Sequence, residues 1–87
     1  MRIKDGFILR EVSNTFIAVA VGDRVKEFNG MINLNPTGAF IWKQLEKDCT
    51  KEQIVEALVK EYEIDKQIAE EHTDKFINLL KNANLLV

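Results

Sequence analysis

The sequence predicts an α+β fold, with strands first and helices after. The first third carries three β-prone apolar runs separated by turn formers. The rest carries three stretches with apolar residues at helical spacing. Between them, Leu34-Asn35-Pro36-Thr37-Gly38-Ala39-Phe40-Ile41-Trp42 marks the change from one regime to the other. Strands followed by helices place a small antiparallel sheet at one end of the domain.

The first run is Phe7-Ile8-Leu9-Arg10-Glu11-Val12, ended by the turn formers Ser13 and Asn14. Phe16-Ile17-Ala18-Val19-Ala20-Val21 follows, apolar throughout, which predicts a central strand covered on at least one face. Gly22-Asp23-Arg24 predicts a tight hairpin. The third run covers 25–33; Phe28, Ile32 and Leu34 share one parity and Met31 has the other. Gly30 inside it predicts a bulge or a close backbone approach.

The helical part opens at Asn35, whose side chain can accept from the free N–H groups of a first turn. Pro36 suits the first helical position, where its missing N–H has no partner to lose. This helix is expected to end near Glu46 or Lys47. Thr50-Lys51-Glu52-Gln53 fits a capping box ahead of Ile54, Val55, Leu58, Val59 and Tyr62. Asp65 is the expected cap of the third helix, with Ile68, His72, Phe76, Leu79, Leu80 and Ala83 as its apolar stripe. Asn84 stands where a left-handed residue stops a helix, and Leu85-Leu86-Val87 is expected to fold back onto the core. Three strands followed by three helices match the shape of a winged helix-turn-helix.

Eighty-seven residues make one small domain, 1–87. Hydrophobic residues make up 46% and charged residues 30%, as in a globular protein. A net charge of −2 argues against strong attraction to nucleic acid or an anionic membrane. Cys49 is the one cysteine, so neither an intramolecular disulfide nor a thiolate metal site is expected. No signal peptide or membrane span is visible, and a cytoplasmic location is expected.

Catalytic chemistry finds little support, and no enzyme, cofactor or metal is expected. His72 lies on a helical stripe without a specified partner, and Cys49 lies between two helices with only Lys47 and Lys51 nearby in sequence. The carboxylates read as solvated helix faces, several paired at helical spacing, such as Glu56 with Lys60 and Glu71 with Lys75. The glycines form no phosphate-binding loop. A winged-helix regulator binding DNA needs a basic recognition helix, yet neither long helix offers an arginine and both carry several acids. Peptide binding fits better, because a three-stranded sheet leaves an edge that can accept an extended strand. If that edge is the third strand, residues 25–32 offer the pairing. The competing readings are an edge blunted by Lys26 and Glu27, or one used to dimerise.

Leu34-Asn35-x-Thr37-Gly38-Ala39-x-Ile41-Trp42-x-x-Leu45 resembles the signature of the PqqD-like family. Thr50-x-x-x-Ile54-Val55-x-x-Leu58-x-x-x-Tyr62, Phe76-x-x-x-Leu80 and the terminal Leu85-Leu86 extend the resemblance over nearly the whole chain. Asn84 replaces the glycine usual before the terminal leucines and keeps its backbone role. The resemblance implies a winged-helix peptide chaperone. It would bind the leader segment of a ribosomally made precursor peptide and present it to a modifying enzyme, often a radical S-adenosylmethionine enzyme. It further implies strand addition at the third strand, beside the third helix. On this sequence that places the site at Lys26, Glu27, Phe28, Asn29, Gly30, Met31 and Ile32, with Ala69, Thr73, Phe76, Ile77 and Leu80 on the helix. Asn35, Gly38 and Trp42 are then fold residues, and the expected state is a monomer or weak dimer with no nucleic-acid or membrane partner.

Overall fold

A computed structural model describes residues 1–27 and 30–87. Phe28 and Asn29, both expected in the binding strand, lie outside the described residues. The order is three strands, β1 (Phe7–Val12), β2 (Thr15–Ala20) and β3 (Met31–Leu34), then three helices, α1 (Pro36–Gln44), α2 (Lys51–Tyr62) and α3 (Lys66–Asn82). The chain divides into two compact units: residues 4–39, and residues 1–3 with 40–87.

In the first unit the three strands form an antiparallel sheet in the order β1-β2-β3. Ser13 (φ 49°) and Asn14 (φ 65°) make the two-residue turn between β1 and β2. Both are left-handed, as the primed turns that match strand twist require. Directly paired residues share a face of the sheet. Phe7 with Ala20, Leu9 with Ala18 and Ile32, and Phe16 with Leu34 line one face. Ile8 with Val19 and Met31, and Arg10 with Ile17 and Asn33, line the other. Ala18 and Leu34, on the first face, are buried.

The expected tight hairpin at Gly22-Asp23-Arg24 and the third strand over 25–33 are both corrected. Residues Gly22–Lys26 form a 3-10 turn, and β3 starts only at Met31. Gly22 adopts φ +61°, which turns the chain out of the extended region. Backbone bonds from Arg24 N to Val21 O (3.3 Å) and from Glu27 N to Arg24 O (3.1 Å) then close successive turns. Gly30 (φ +139°) is a bend before β3, not a bulge within it.

The helix start at Asn35 forms as expected: Gly38 N donates to Asn35 Oδ1 at 2.7 Å. The regular helix ends at Gln44, before the expected Glu46 or Lys47. Glu46 N to Lys43 O (3.3 Å) and Lys47 N to Gln44 O (3.4 Å) prolong it by looser i+3 bonds.

The capping box of α2 is complete, with Thr50 N donating to Gln53 Oε1 (2.8 Å) and Gln53 N to Thr50 Oγ1 (3.2 Å). Asp65 holds the cap position of α3, but its carboxylate makes no capping bond. Asn84 is left-handed (φ 60°), and α3 closes with Asn84 N to Lys81 O (3.0 Å) and Leu85 N to Leu80 O (2.9 Å), the Schellman pattern.

In the second unit Trp42, Ile41, Leu45, Ile54, Leu58, Thr73 and Leu80 are fully buried. Phe40 meets Tyr62 edge-on, with ring centroids 5.6 Å apart. The two ends of the chain are stitched into this unit: Ile3 N donates to Leu45 O and Val87 N to Arg2 O, each at 2.8 Å, and Ile3 bridges Leu86. Leu85 is buried, so the terminal segment folds back as expected.

Candidate functional site

Among the described residues β3 pairs only with β2, so its other side is an open edge. The two-residue turn decides which backbone groups face it. Val12 and Thr15 flank that turn and are hydrogen-bonded partners, and the bonded pairs then alternate along the ladder. Arg10–Ile17 and Ile8–Val19 are therefore bonded pairs, and the even positions of β2 face β3. Phe16 and Ala18 bond to Leu34 and Ile32, which leaves the N–H and C=O groups of Met31 and Asn33 pointing outward. Their side chains are exposed, Met31 to 61%. Asn33 is a pairing position absent from the sequence-based set. Counting alternate residues from Ser13-Asn14 through both ladders finds it, but only once the registers are known.

The segment leading to β3 is held by Arg24. Its Nε donates to Asp5 O at 2.7 Å, and its guanidinium pairs with the Glu27 carboxylate. Val21 N donates to Gly6 O at 2.8 Å. Gly6 (φ +97°) lies directly under the arginine; a Cβ there would stand 2.7 Å from Arg24 Cβ. Of Gly6, Gly22 and Gly30, all at positive φ, Gly6 is the one where an added Cβ would also collide with a neighbour. Of the expected site residues, Lys26 ends the 3-10 turn and Glu27 follows it, both exposed and neither in a strand. Gly30 precedes β3, and Met31 and Ile32 lie within it.

On α3 the structure brings Ala69, Thr73, Phe76, Ile77 and Leu80 onto one stripe. Four of them are buried, and Phe76 is half-buried. The Thr73 hydroxyl turns back to Ala69 O (2.7 Å), which satisfies it inside the core. The predicted apolar stripe is thus split. Its other members, Ile68, His72, Leu79 and Ala83, are exposed, Ile68 to 42% and Leu79 to 50%. At about 100° per residue this second band lies roughly a quarter-turn from the buried one. His72 belongs to it and is a surface residue.

The remaining chemistry is electrostatic. A cleft of about 310 Å³ at the starts of α2 and α3 is lined by Lys51, Glu52, Val55, Glu56, Lys66 and Glu70. With one apolar lining residue it differs from the mostly apolar pockets that hold small molecules. Lys51 reaches across to Asp74 (2.7 Å), and this bond raises the lysine above its ordinary range. Burial pushes the Cys49 thiol up, which makes it less reactive, and Cys49 Sγ is 3.4 Å from Gln44 O. Among the described residues no group of three His, Cys, Asp or Glu side chains is placed to hold a metal. No helix among them is long and apolar enough to cross a membrane.

The sequence profile of the family described as Coenzyme PQQ synthesis protein D (PqqD) matches residues 9–86. No curated protein matches the sequence. A solved structure, TbiB1 in complex with the TbiA(beta) leader peptide, shares the fold with a TM-score of 0.76 and 26% identity over 99% of this chain and 94% of that one. Three antiparallel strands followed by three helices, the signature around Asn35 and Trp42, and a profile spanning nearly the whole chain agree: this protein belongs to the PqqD family.

Proposed function

We propose that the chain, as one domain over 1–87, recognises the leader segment of a ribosomally made precursor peptide and presents it to a modifying enzyme. The observation that carries this reading is the open edge of β3, where Met31 and Asn33 offer unpaired backbone groups to an extended peptide. The family match and the leader peptide bound by TbiB1 support it. Of the expected neighbours of the added strand, Lys26, Glu27 and Gly30 precede β3, while Phe28 and Asn29 lie outside the described residues. On α3, considered by itself, Phe76 and the exposed Ile68 and Leu79 offer an apolar surface that suits a leader's apolar side chains. Ala69, Thr73, Ile77 and Leu80 support that surface from beneath. The chain catalyses nothing itself, and the chemistry belongs to the partner, for which a radical S-adenosylmethionine enzyme of the cytoplasm is the proposed type.

The test is a titration of isotope-labelled protein with the leader peptide encoded beside it. The expected shifts fall on the amides of Met31–Leu34 and on the exposed band of α3. Shifts confined to β1, or to the ends of α1 and α2, would overturn this site.

A further inference from the structure

The two outward-pairing residues of β3 differ in character. Met31 ends an apolar row across the sheet, Ile8–Val19–Met31. Asn33 ends the next row, Arg10–Ile17–Asn33, and its carboxamide makes no hydrogen bond among the described residues. Both side chains project from the same face, because they are two residues apart in one strand. A strand added at this edge continues both rows, since directly opposed residues share a face and interact as pairs.

We infer that Met31 and Asn33 set the register of the bound peptide and define its class. The ligand is an extended segment with an apolar residue and a hydrogen-bonding residue (Ser, Thr, Asn or Gln) two positions apart. The inference rests on the strand-addition reading above and deepens it. A slip of one residue turns every peptide side chain to the opposite face. A slip of two sets a polar residue against Met31 or an apolar one against Asn33. Each matched cross-strand pair favours the right register by about 1.4-fold to fivefold. The peptide's orientation changes only the order of the pattern. The apolar residue comes first if the strand runs parallel to β3, and second if it runs antiparallel.

A displayed library of short random peptides, selected on the full chain and on the double variant Met31→Asn/Asn33→Met, tests this. The wild type is expected to enrich the pattern in one order and the variant in the reverse order. A single variant, Asn33→Val, leaves the apolar row intact and is expected to replace the hydrogen-bonding preference with an apolar one. If all three proteins, folded by circular dichroism, enrich the same pattern, the register assignment falls while peptide binding stands. If nothing is enriched on the wild type, or the enriched peptides move no amide of Met31–Leu34, strand addition itself falls and the inference with it.

Discussion

Gly6 shows how much one position can constrain. Its φ of +97° and the 2.7 Å that a Cβ would have to Arg24 Cβ add two separate penalties to any side chain. Gly6→Ala is expected to lower unfolding free energy by about 1–3 kcal/mol, read from urea denaturation midpoints. The Lys51–Asp74 pair is a milder case, since both side chains are largely exposed and such pairs contribute little. Its sign is nonetheless fixed. Asp74 raises the lysine's folded pKa, so the contribution is fully present below the unfolded lysine value of about 10.4. It is lost as pH rises through the raised value. The stability gap between wild type and Asp74→Asn should therefore be present at neutral pH and close in strong alkali, as measured by thermal unfolding across that range.

At the scale of an element, β3 carries two kinds of backbone group. Ile32 and Leu34 bond to β2, while Met31 and Asn33 face outward. Proline is tolerated in an edge strand only where its missing N–H faces solvent. Asn33→Pro should keep the fold and weaken leader binding at least severalfold in calorimetric titrations. Ile32→Pro breaks the ladder to β2 and should destabilise the protein by about 3 kcal/mol. If the two variants lose leader affinity equally while both stay folded, the parity assigned to β3 is wrong. The helices show a related division between sequence pattern and outcome. The capping box at Thr50 and the Asn84 stop are local motifs, and both formed. The left-handed Glu63 (φ 52°) that ends α2 has no such signature, because glutamate is not a residue that favours that conformation.

For the molecule as a whole, charge separates the peptide reading from the DNA reading. With a net charge of −2, and with the lysines of α2 and α3 interspersed among at least as many acids, neither helix presents a basic face to phosphates. Leader affinity should change by less than about threefold between low and physiological salt. A DNA-binding protein making several phosphate contacts would lose orders of magnitude. A steep salt slope in a fluorescence-anisotropy titration with duplex DNA, at submicromolar affinity, would reverse this reading.

The class of fold was legible because it rests on local rules. Ser13-Asn14 supports a left-handed turn, Asn35-Pro36 starts a helix, and the apolar periods of α2 and α3 follow from which side chains can be buried together. The site was only half legible. The sequence could name the third strand as an edge, but it read residues 25–33 as one extended run. The 3-10 turn at Gly22–Lys26 depends on Arg24 reaching Asp5, nineteen residues away, and no local preference contains that bond. The stripe on α3 was wider than one helix face can bury. Periodicity alone therefore could not choose Ala69, Thr73, Ile77 and Leu80 for the core over Ile68, His72 and Leu79. The sequence by itself determined the order of strands and helices, the helix starts, the stop at Asn84 and the family. Only the tertiary structure decided that Met31 and Asn33 face outward, because that depends on two ladder registers acting in series, and register is a relation between strands.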